Sequence, residues 1–165
     1  EALDAAEAAR ARQQRDAVFT AALARLRWCE RCESSAGGSD AGPSWDELPA
    51  VSGELAAALQ ARRESAVSGA TQPSPHAEDL ARQLLVQMEF LAGGETPPED
   101  RQLRMDWQVA RLSQRLGQGA ALAPREELHD VLLRWVRLGP LTGSAATALR
   151  QRFERAFGAA LDRLP

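Results

Sequence analysis

The chain has 165 residues, 44% of them hydrophobic and 26% charged, which suits one domain or two small ones with a true core. A net charge of −3 offers no global field for gathering nucleic acid or anionic membrane. No apolar run approaches the roughly 18 residues that would cross a bilayer.

All 20 basic residues are arginine, and Lys, Asn, Ile and Tyr are absent, the bias that a GC-rich coding sequence produces. Two cysteines, Cys29 and Cys32, are too few for a disulfide scaffold, so a cytoplasmic setting is expected. The start shows neither Met nor a signal-peptide pattern. Its opening run, EALDAAEAARARQQRDAVF, is polar, Ala-rich and uncapped, as in a piece of a longer polypeptide.

In chain order, every segment reads as helix or loop. β-branched residues are scarce, and no window alternates long enough for a strand. A first helix over 1–34 carries Phe19, Ala22, Leu23 and Leu26 on one stripe, with Cys29 at its edge. SSAGGSDAGP breaks it. Ser44 and Glu47 fit a capping box, Pro49 limits that turn, and a helix follows to about Val67. After SGATQPSP, Ser74 as N-cap and Pro75 as first residue predict a helix to Leu91, stopped at Gly93-Gly94. Thr96 as N-cap, Pro97 at the first position and Glu99 at the third predict a helix reaching about Leu116.

A loop over 117–123 follows, and Pro124 opens the next helix. Glu126 and Glu127 stand at its positive end and Arg134 and Arg137 at its negative end. Leu128, Val131, Leu132, Trp135 and Leu138 form its apolar stripe. Gly139-Pro140 ends it, and the last helix gathers Leu149, Phe153, Ala156, Phe157, Ala160, Leu161 and Leu164 on one face. The expected fold is all-α: an antiparallel bundle of about six helices.

An ungapped offset of 90 residues lays 45–66 over 135–156. Identities include Trp45/Trp135, Leu48/Leu138, Gly53/Gly143, Ala58/Ala148, Leu59/Leu149, Arg62/Arg152, Glu64/Glu154 and Ala66/Ala156. One plan accounts for both stretches: a Trp and a Leu three residues on share a helix face, a Pro breaks the turn, and Ser or Thr precedes the next helix. Two related helical-hairpin units are therefore expected. The first, in 1–72, joins the long N-terminal helix to a degenerate copy; the second, in 73–165, holds the full motif. One continuous domain is the alternative.

LLRWVRLGPLTGSAATALRQRFERAFGAAL, at 132–161, resembles the core motif of the bacterial family called "domain of unknown function 349". The residues carrying the resemblance are Trp135, Gly139, Pro140, Arg152, Phe153 and Ala156. The segment 76–117 is also similar to the C-terminal region of such proteins in proteobacteria. The resemblance implies tandem helical units within a longer protein and supplies no catalytic residue. The first copy departs from it: Pro49 stands for Gly139, Ala50 for Pro140 and Arg63 for Phe153.

Candidate chemistry is thin. Cys29 and Cys32 are spaced as in thiol redox and metal motifs, but they lie late in a helix, where the dipole disfavours a thiolate. His76 and His129 show no ligand spacing toward them. No Gly-rich loop follows a strand to cradle phosphate. No catalytic residue, metal or cofactor is assigned, and enzymatic activity is not expected.

Helix 98–116 is more informative. Met105, Val109, Leu112 and Leu116 line one side at heptad spacing, and Leu103, Trp107 and Ala110 lie nearly opposite. Between them runs a stripe of Arg101, Arg104, Gln108, Arg111 and Arg115. Two apolar faces suit either a central place in the bundle or a partner's groove. The arginine stripe reads first as a solvated face. Arg101, Arg104, Trp107, Gln108, Arg111 and Arg115 are the candidate interaction surface, for a protein partner or a second copy. Nucleic acid on the arginines is the alternative, and no membrane contact is expected.

Overall fold

In a computed structural model, residues 2–35, 42–70, 72–118 and 121–165 are described. The predicted breakers at 34–43, 68–75 and 117–123 fall partly outside those residues. Among them there are six α-helices and no strand. The chain divides into two compact units, 1–72 and 73–165.

In the first unit, α1 (Ala2–Ser34) and α2 (Gly53–Ser68) pack together. Only the later part of α1 is buried, at Phe19, Ala21, Ala22, Leu26 and Cys29. Its first four turns are solvated, as their Ala-rich polar sequence dictates. Between the helices, Ser44 and Glu47 form the expected capping box, the Ser44 amide donating to Glu47 at 2.9 Å. It supports a single 3-10 turn, Trp45–Glu47. Pro49 keeps Leu48 extended, so the helix cannot continue there.

Arg25 anchors this returning segment by donating to the carbonyls of Pro49 and Leu48 at 2.7 and 3.0 Å. Further on, Cys29 approaches the Leu59 carbonyl and Glu33 pairs with Arg62. Cys29 to Leu59 and Glu33 to Arg62 rise together along both helices, so α2 runs along α1 in the same sense. This corrects the antiparallel neighbours expected; the connection between the two helices is long enough to allow either sense.

The second unit is built around α3 (Ala77–Leu91), which packs on α4 (Arg101–Gln118), α5 (Pro124–Leu138) and α6 (Ala146–Arg163). Leu84, Leu85, Val86, Gln87, Met88 and Glu89 are buried consecutively. A helix with no exposed face over six residues is covered on all sides. The central helix is therefore α3, and α4 lies at the edge, with no residue buried over 101–117. α5 and α6 meet through Trp135 and Phe153, whose rings stack at 4.2 Å, and Phe157 extends the stack at 5.7 Å.

Two predicted helix starts are corrected. α3 begins at Ala77 rather than Pro75, because Ser74 to Ala77 closes a separate turn: the Ser74 carbonyl accepts from the Ala77 amide at 3.0 Å. Thr96 does not cap a helix. Its hydroxyl donates instead to the buried carboxylate of Glu89 at 2.6 Å, a charge-assisted bond stronger than a cap. The chain after it makes a 3-10 turn, Pro98–Asp100, before α4 starts at Arg101.

Candidate interaction site

The described helices split the α4 residues into an inner and an outer set. Trp107 is half-buried and meets Phe90 of α3 edge-on at 5.1 Å. Arg111 lies over both rings, at 5.0 and 5.2 Å, and pairs with Glu127 of α5 at 2.7 Å. Its buried Nε has no hydrogen-bond partner and sits among those rings. Arg104 donates to the Gly94 carbonyl at 2.6 Å and to Thr96 at 3.0 Å. These three residues fasten α4 to its own unit, and Gln108 is half-buried beside them. Arg101 and Arg115 are exposed. The arginine stripe is thus not one solvated face: its middle is engaged in internal packing.

The opposite side of α4 is bare. Met105, Val109 and Leu112 are 59%, 58% and 59% exposed, and Leu116 is 91% exposed. Their alternation with polar residues at helical spacing places all four on one outward stripe. Large apolar side chains scattered singly over a surface are ordinary, whereas these four form a continuous apolar row on one helix.

The motif at the α5–α6 corner is structural. Gly139 has φ +82°, a conformation open to glycine, and Pro140 and Leu141 are buried after it. Arg152 carries its guanidinium to Glu89 of α3 and, at 2.5 Å, to Asp100. Arg82 reaches the same Asp100 oxygen at 3.3 Å. Burial works against the Arg152 charge, and the two carboxylates more than offset it, leaving its pKa above the usual arginine value.

The first unit repeats several of these relations at the 90-residue offset. Gly53 and Gly143 both have positive φ, +70° and +88°. Arg62 is buried against Glu33 at 2.8 Å as Arg152 is against Glu89. Arg63, at the position of Phe153, lies over Trp45 at 5.2 Å, as Phe153 lies on Trp135. A cation–π contact thus replaces an aromatic stack. Trp45 differs in its setting, a single 3-10 turn rather than the body of a helix. The carboxylates of Glu33, Glu89 and Asp100 gave no sequence signal, since nothing in their spacing marks them as partners of a distant arginine. The shared Arg62/Arg152 identity was the only pointer.

Open clefts accompany these features among the described residues. One of about 360 Å³ lies beside Trp28, Cys32, Trp45 and Arg63. One of about 230 Å³ is bounded by Trp107, Arg111 and Glu127, and one of about 400 Å³ by Phe90, Arg104 and Arg163. Cys29 is fully buried, and burial pushes its thiol up to about 12; Cys32 is raised as well, chiefly by burial. Such thiols are protonated at neutral pH and poorly nucleophilic. Among the described residues, no three His, Cys, Asp or Glu side chains gather to hold a metal ion, and no helix is long and apolar enough to cross a membrane.

No family model, curated protein or solved structure matches the chain.

Proposed function

We propose that this chain is a non-enzymatic helical module for protein–protein interaction or scaffolding, and that the outer stripe of α4 is its contact face. The observation that carries the reading is the aligned exposure of Met105, Val109, Leu112 and Leu116 on a helix whose other side is fastened inward through Trp107. Burying such a row against a partner gains about 25 cal/mol for each Å² of apolar surface removed from water. The contact residues differ from those the arginine pattern singled out. Trp107, Arg104 and Arg111 position the helix, while Arg101 and Arg115 flank the face.

The internal equivalences between 45–66 and 135–156 support a duplicated helical unit, as the resemblance to tandem helical proteins implies. The nucleic-acid alternative is less favoured, because Arg104 and Arg111 spend their donors inside the protein.

The test is the paired change Val109→Glu with Leu112→Glu. Both side chains are exposed, so helicity and thermal stability should stay near wild type. Wild type and variant are used as baits on host lysate, and each retained protein is purified and re-bound. The reading expects partners that bind wild type and lose at least tenfold in affinity for the variant. Identical binding by the two baits sinks it.

A further inference from the structure

We propose that the α4 stripe is a self-pairing surface: two copies of the chain associate through α4, parallel and in register, as a short two-stranded coiled coil. This rests on the reading of α4 as the contact face and names its occupant. Met105, Val109, Leu112 and Leu116 succeed one another at intervals of four, three and four residues. That is the seam of a heptad pattern, with 105 and 112 at its d positions and 109 and 116 at its a positions. A β-branched Val at a with Leu at d favours two parallel strands. The preceding a position holds Gln102, exposed and polar, where a polar residue fixes register at some cost in stability.

Charge decides the orientation. One edge of the seam, the g positions, carries Arg101, Gln108 and Arg115; the other, the e positions, carries Asp106 and Ser113. In a parallel pair each g edge faces the partner's e edge five residues further on. Arg101 of one copy then meets Asp106 of the other, twice by symmetry. An antiparallel pair would set the arginine edge against itself, with no acid on that edge to relieve it. Arg101 and Asp106 are both exposed. Asp106 accepts from Gln102 through Oδ1, and its second oxygen would accept from Arg101 of the other copy. A second copy thus brings the complementary apolar row and the complementary charge together. Two heptads make a small interface, so the association is reversible, in the micromolar to millimolar range.

Analytical ultracentrifugation of the whole chain from about 10 µM to about 1 mM reads the prediction. The mass should climb toward that of a dimer, and Val109→Glu with Leu112→Glu should hold it at monomer while circular dichroism stays unchanged. Arg101→Glu or Asp106→Arg alone should weaken dimerisation about tenfold, and the two together should restore it. In a Cys32→Ser background, Met105→Cys should oxidise to a symmetric disulfide. Mixed disulfides between Met105→Cys and Leu116→Cys chains instead would overturn the parallel arrangement. A strict monomer throughout, a dimer indifferent to Val109→Glu with Leu112→Glu, or failure of the charge swap to restore pairing would overturn the proposal. A strict monomer that still loses a purified partner on changing Val109 and Leu112 removes self-pairing and leaves the contact-face reading standing; loss of neither removes both.

Discussion

Arg152 ties together the last helix, α3 and the turn before α4 with one guanidinium. Glu89 and Asp100 are almost wholly buried, and Nη2 of Arg152 is itself buried without an acceptor. Two carboxylates in that setting depend on their cation, because an uncompensated buried charge costs far more than a broken surface pair. Arg152→Ala should therefore lower stability by about 3 kcal/mol in urea titrations, with Arg152→Lys between the two because ammonium cannot span both acids. A loss below about 1 kcal/mol would mean that Arg82 and water suffice for the acids.

Cys29 makes a different residue-scale prediction. Its thiol has an ordinary value of 9.0 and is pushed to about 12 in the folded chain, chiefly by burial and against the pull of Arg62. Between those values the unfolded chain has lost the proton and the folded chain keeps it. Stability is therefore unaffected below pH 9 and falls as pH rises through that window. From pH 8.5 to 10.5 the loss attributable to this group should approach about 2 kcal/mol in denaturant titrations. Cys29→Ala should flatten that alkaline slope; an unchanged slope assigns it to other groups.

For the elements, the α5–α6 corner turns on Trp135. Its ring is 2% exposed and stacks on Phe153, so it is a core residue of this unit. Trp135→Ala should cost about 3–5 kcal/mol, read as a lowered urea midpoint with an unchanged slope. A neutral result would place the indole outside the cooperative core. The opening turn of α5 was legible in the sequence because Pro124 and Glu126 are local signals: the Glu126 carboxylate does reach back to the Ala123 amide at 3.2 Å. Thr96 misled for the same local reason. Its sequence context is that of a cap, but a carboxylate seven residues earlier offered a stronger acceptor, and spacing along the chain does not report that competition.

At the scale of the whole chain, helix content, the glycine and proline breaks and the apolar stripes of α5 and α6 were readable from sequence. They depend on 3.6-residue periodicity and on backbone limits that act within a few residues. So was the two-faced character of α4, though not which face would be covered. Packing decided that: α3, with six successive residues buried, took the centre of the second unit, and Trp107 turned toward Phe90. The heptad row was left outside. Likewise, the sequence displayed a stripe of arginines, and the fold divided it into internal donors and exposed edges. Sequence alone determined that this is an all-helical protein, because helix periodicity and backbone breaks are local. Only the tertiary structure decided which apolar row stays wet and which arginines remain outside, because both depend on contacts between residues far apart in the chain.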